Sequence, residues 1–188
     1  MWNYIKDWFI EMGSPPLFFK WSSKILPWLM LVTFVVFILG LAWGLFYSPT
    51  DYKQGDVYRI IYIHVPSAIL GQSIFMFMAV CGFITMVWRV KISGMLLKSA
   101  APIGASFTLL ALLTGSIWGK PTWGTWWVWD ARLTSTLILF FIYAAIIGLH
   151  SSIDNKSRAD RAISILSIVG IAIIPVIKKS VDWWQTLH

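Results

Sequence analysis

The sequence predicts an all-α, polytopic transmembrane helix bundle with five spans. Three observations lead there. Apolar residues make up 58% of the 188-residue chain and charged residues only 12%, about half the charged share of a soluble domain. Five apolar runs approach or exceed the roughly 20 residues that a helix needs to cross a bilayer. No ionisable side chain interrupts the middle of any run. With so little polar surface to cover a globule, the chain reads as one integral membrane domain over residues 1–188.

The first run, at about 25–47, follows some two dozen more hydrophilic residues and has no small-residue cleavage site behind it. It is expected to be a retained span and not a signal peptide. The second covers about 62–88. Pro66 suits the first turn of a helix, so His64 is expected to stand just before a fixed helix start. The third covers about 99–118 and the fourth about 133–150. The fifth, over about 162–184, qualifies only if Lys178 and Lys179 snorkel and let it run on. Gly40, Gly71, Pro102, Gly170 and Pro175 lie inside these runs, where neighbouring helices can satisfy the freed backbone groups.

With the N-terminus inside, the inner segments carry Lys6, Lys20, Lys24, Arg89, Lys91, Lys98, Lys156, Arg158 and Arg161. The outer ones carry Lys53, Arg59, Lys120, Arg132, Lys178 and Lys179, so basic residues favour an inner N-terminus by nine to six. These charges are scattered over the connecting segments without a basic stripe. The formal net charge of +7 therefore reflects orientation and not a nucleic-acid partner. Cys81 is the single cysteine, which excludes an internal disulfide and a multi-cysteine metal site. Spans without buried ionisable residues argue against a transporter of ions or small solutes. No hydrolase or redox site is evident. The segment DNKSRADR between spans 4 and 5 reads as a solvated connector.

Span parity places three outer segments on one face: the start of span 2 with His64, the connection between spans 3 and 4, and the end of span 5 with His188. His150 falls on the opposite face. The 3–4 connection, WGKPTWGTWWVWDARLTS, holds Trp118, Trp123, Trp126, Trp127 and Trp129 in twelve positions. Gly119, Pro121 and Gly124 are expected to keep it from forming a regular helix. An aromatic belt at headgroup depth explains single residues such as Trp21, Trp28, Trp43 and Trp88. Five rings in one connection exceed that need. Tryptophan offers a broad polarizable face at little entropic cost, suited to stacking on a large planar ligand. Anionic groups on such a ligand would find Arg59, Lys120 or Arg132, whose charges suit carboxylates. Haem meets this description, and neutral imidazole is a common axial ligand to its iron.

Taken singly, His64 reads as an interfacial histidine and His188 as an ordinary loop residue. Their shared face and the tryptophans between them favour ligation. Asp130 directly precedes span 4, where a carboxylate caps free N–H groups; capping is favoured over direct ligand contact. The alternative is a membrane b-type cytochrome moving electrons across the bilayer, which would favour histidines within the spans.

The tryptophan-rich stretch resembles the "WWD" signature of the haem-handling membrane proteins of cytochrome c biogenesis. YRIIYIHVPSA and VDWWQTLH are similar to the two outer histidine segments of one branch of that family, the cytochrome c maturation protein C or haem exporter protein C branch. The likeness covers nearly the whole chain, with three motifs in order. It implies transient binding of haem b on the periplasmic face of the bacterial inner membrane, with His64 and His188 as axial ligands. The implied site comprises these two with Trp118, Trp123, Trp126, Trp127, Trp129, Arg59, Lys120, Arg132 and Asp130. The implied recipient is the membrane-anchored periplasmic haem chaperone, protein E, to which haem becomes covalently attached. Further implied partners are an ABC-type complex of proteins A and B and the small membrane protein D. The family normally has a sixth span after the second histidine segment, whereas five are expected here, which leaves the setting of His188 less constrained.

Overall fold

The computed structural model describes residues 13–183, and every regular element among them is helical. Helix α1, Pro15–Ala42, continues through a π-helical turn at Trp43–Tyr47, and a 3-10 turn at Asp56–Ile60 leads into α2, Ile61–Trp88. Then come α3, Lys91–Trp123; α4, Ala131–Ser152; α5, Lys156–Gly170; and α6, Ile173–Trp183. Five helical stretches are long and apolar enough to cross a membrane: Pro15–Tyr47, Asp56–Trp88, Lys91–Trp123, Ala131–Ser152 and Lys156–Ser180. These are the five expected spans.

Each helix outruns its apolar run, because long basic side chains at the ends are compatible with helical backbone while their charges reach polar surroundings. The segment before span 5 is largely exposed, as its solvated reading expects, but most of it is helix and not an irregular connector. Asn155 caps α5 by accepting a hydrogen bond from the Arg158 N–H at 3.1 Å. The helix thus begins at Lys156, with Ala159 already fully buried. The fifth span is also not continuous. Pro175 has no N–H to give to the Ile171 carbonyl, which accepts instead from Ile174 N at 3.0 Å, and the helix breaks at residues 171–172. The expected end of this span at residue 184 lies outside the described residues.

Helix α2 packs along α3 and against α5, while α4 lies against α3, α5 and α6. The shared core contains Phe75, Met78, Leu97, Leu139, Tyr143, Ile146 and Ile163. Its centre is Tyr143. The ring meets Phe75 edge-on with centroids 5.2 Å apart, and its hydroxyl donates to the Gly71 carbonyl at 2.7 Å. Gly104 makes room for it: a Cβ there would collide with the phenol.

Helix α1 buries none of its residues. It is held at its C-terminal end by Arg59, which donates through Nη1 to the Leu45 carbonyl at 3.1 Å and through Nη2 to Ser48 O at 3.0 Å. A hydrogen bond of 2.7 Å between the Ser48 and Tyr62 hydroxyls completes the joint.

Replacing Gly104 by Ala drives a methyl group into the Tyr143 ring and should destabilise the bundle by about 1–3 kcal/mol, the usual range for overpacking. Tyr143→Phe should cost about 1 kcal/mol for the lost hydrogen bond. Reversible unfolding in mixed micelles measures both. A Gly104→Ala protein as stable as the parent would contradict this packing.

Candidate functional site

The site is built where α2 begins, α3 ends and α4 begins. His64 lies in the first turns of α2, within the helix and not ahead of it as Pro66 had suggested, because the 3-10 turn and Ile61–Ile63 already supply helical backbone upstream of the proline. Its imidazole leans on one face of α3. Nδ1 is 3.1 Å from Thr114 Oγ1, and the ring meets Trp118 edge-on with centroids 5.7 Å apart. Thr114 and Trp118 are one helical turn apart and so share that face. Gly115 lies between them, and a Cβ there would come within 3.0 Å of His64 Cε1.

Trp118 is tied in turn to the connection after α1. Its Nε1–H donates to Gln54 Oε1 at 2.7 Å. Asp51 folds that connection by accepting from the N–H groups of Lys53 and Gln54 at 2.9 and 2.8 Å, an Asx-type turn. A chain of contacts therefore runs from Asp51 through Gln54 and Trp118 to His64.

The tryptophan-rich segment is half helical, which corrects the expectation of an irregular loop throughout. Helix α3 continues through Gly119, Lys120 and Pro121 to Trp123 and stops at Gly124 in the left-handed region, φ 83°. Pro121 has no N–H to give to the Ile117 carbonyl, yet the helix runs on past it for two residues. Beyond the proline the last turn is held locally: the Thr122 hydroxyl donates to Trp118 O at 2.7 Å, and Gly124 N donates to Lys120 O at 3.1 Å. The non-helical half holds Trp126, Trp127 and Trp129. Trp126 and Trp129 are exposed, at 57% and 75%. Trp127 is half-buried and meets Trp129 edge-on at 5.4 Å; its buried Nε1 has no acceptor among the described residues.

Asp130 stands where span 4 begins and caps it, its carboxylate accepting from Leu133 N at 2.7 Å. Beside it, Arg132 faces a partly open cavity of about 510 Å³ lined by α2, α3, α4 and α6. The walls are mostly apolar, with Gln72, Thr108 and Thr136 along them and His64, Arg132 and Lys178 among the lining residues. The Gln72 Oε1 is buried without a donor among the described residues.

Of the residues singled out from sequence, the structure brings His64, Trp118 and Arg132 to one end of the bundle. Two cations are occupied elsewhere. Arg59 staples α1 to α2, also 3.4 Å from Asp56, and Lys120 donates to the Gly124 carbonyl at 3.1 Å. Trp123 is half-buried over Gly119. His188 lies outside the described residues. Sequence reasoning missed Thr114, Gln54, Gln72 and the cavity-facing position of Lys178. A signal existed for Thr114, a polar residue one turn before Trp118 in an otherwise apolar run.

A family model described as Heme exporter protein C matches residues 8–188. The chain belongs to that family. Proteins of the same description from Escherichia coli K12, Haemophilus influenzae and Bradyrhizobium diazoefficiens are 48%, 43% and 46% identical to it. Those alignments cover 95%, 100% and 95% of this chain and 73%, 75% and 68% of the relatives. With five spans and this membership, it is a multi-pass membrane protein.

Asp130→Ala should lower stability by about 1 kcal/mol, the ordinary worth of an N-cap, and Asp130→Ser should recover most of it. Thermal unfolding in detergent reads the difference. If the serine protein is as unstable as the alanine one, the carboxylate's charge matters more than its capping bond.

Proposed function

We propose that this protein binds haem at the His64 end of the bundle, on the periplasmic face of the bacterial inner membrane, and passes it to a periplasmic haem chaperone. The observation that carries the reading is a histidine held against an aromatic helix face at a cavity lined by two cations. A volume of about 510 Å³ falls within the range of small-molecule sites, roughly 300–1,000 Å³. The description shared by the relatives supports haem as the occupant.

In this reading His64 supplies one axial nitrogen and His188 the other. Arg132 and Lys178 compensate the propionates; Arg59 and Lys120 act on the frame around them. Trp118 and Trp123 shape the protein side of the site, while the exposed rings of Trp126 and Trp129 offer the surface on which haem and its chaperone meet. Haem is cargo here, so the site must grip it without enclosing it, and the chaperone completes the covalent attachment. The chaperone, protein E, the ABC-type pair of proteins A and B and the small protein D are the proposed partners. For the alternative, a b-type cytochrome, a second haem site near the far end would be required. His150, at that end, faces Asp160 at 3.6 Å.

Titration of the purified full-length protein with haem, followed in the Soret region, tests the assignment. His64→Ala and His188→Ala should each weaken binding at least tenfold and alter the low-spin spectrum expected of two imidazole ligands. Spectra and affinities unchanged in both variants would refute the ligand pair.

A further inference from the structure

The contact between α2 and α3 carries more than packing. Thr114 is buried, and its single hydroxyl proton has a fixed claimant. Oγ1 lies 2.7 Å from the Leu110 carbonyl and 3.3 Å from Ala111 O. A carbonyl oxygen can only accept, whereas an imidazole nitrogen can donate or accept according to its tautomer. Suppose the hydroxyl turned its proton to His64 Nδ1. Two oxygen lone pairs would then face each other across 2.7 Å in an apolar setting, where an unmet polar contact is costly. The arrangement free of that conflict has Thr114 donating to Leu110 O and accepting from an Nδ1–H of His64 across 3.1 Å.

We propose that Thr114 is the positioning residue of the site: its hydroxyl holds His64 in the Nδ1–H tautomer, so that Nε2 carries the lone pair available to iron. Two features fix the ring as well as the proton. Gly115 lets Cε1 approach the α3 backbone, and the edge-on contact with Trp118 limits rotation about the ring axis. The tautomer is argued from the Thr114 hydrogen bonds; its consequence for iron rests on the haem reading above. In metal sites the partner of the non-ligating histidine nitrogen sets ring orientation and ligand basicity, and its loss typically costs 10–100-fold in affinity.

The full chain in lipid nanodiscs, labelled with 15N in its histidine side chains and free of haem, gives the first readout. His64 signals are assigned by comparison with His64→Gln. The wild-type protein should show a protonated Nδ1 and an unprotonated Nε2 at His64. Thr114→Val, which keeps the shape and removes the acceptor, should populate the other tautomer, and Thr114→Ser should restore the first. An Nε2–H tautomer in the wild type overturns the proposal without any variant, as does an unchanged signal in folded Thr114→Val. Haem titration gives the second readout. Thr114→Val should bind about tenfold more weakly, with Thr114→Ser within about twofold of wild type. If His64→Ala abolishes binding while Thr114→Val leaves both tautomer and affinity intact, the positioning role fails and the haem site stands. If His64→Ala leaves binding unchanged, the haem reading fails, whatever the tautomer.

Discussion

Inside a bilayer a polar side chain must find its partner within the protein, because lipid offers none. At the His64 end of this bundle that constraint is met by one meeting of helices. The face of α3 bearing Thr114, Gly115 and Trp118 receives the imidazole of His64 from α2. Polar atoms at the start of one span are satisfied by the end of the next, and Trp118 extends the link to Gln54. This junction orients the imidazole that helps line the cavity and so gives the cavity a fixed edge. The Tyr143–Gly71 hydrogen bond imposes the same discipline deeper in the core, so α2 is registered against its neighbours at two depths.

The fold was legible because it follows from apolar length, which a bilayer makes nearly decisive. All five spans could be placed from their runs. Their ends could not, since basic residues such as Lys91 and Lys156 lie in helix as readily as beyond it. Proline misled twice for one reason. Pro66 and Pro121 each withhold one N–H from the carbonyl four residues back, and the helix runs through both, so neither marks the boundary a soluble-protein reading assigns to it. The break in span 5 was half visible: Gly170 and Pro175 bracket it, and only the pairing of Ile174 with Ile171 locates it.

The site divides along similar lines. Residue types with few bland uses, such as His64 at a span end or five clustered tryptophans, could be singled out unaided. Residues whose role lies in a particular partner could not. Arg59 looked like an anion receptor because arginine at a membrane surface usually has that freedom; here its guanidinium is drawn to carbonyls at the end of α1. Thr114 passed as filler because threonine in a span commonly bonds its own helix. It does so here as well, and that local bond is what makes it an acceptor for His64.

Helix α1 completes the logic by contrast. It is the most apolar of the spans and buries none of its residues, so side-chain interlocking with the bundle cannot hold it in place. The Arg59, Ser48 and Tyr62 bonds instead clamp its final turns. On the other side those bonds come from Arg59, in the 3-10 turn that leads into α2, and from Tyr62 in the first turn of α2, five and two residues ahead of His64. The clamp therefore sets the starting direction of α2 as much as it anchors α1. Loosening Arg59 would act on the site through the frame that holds His64, although the arginine itself lies outside the cavity lining. The carbonyls of Leu45 and Ser48 make Arg59 part of this frame, since each terminal nitrogen of its guanidinium donates to one of them.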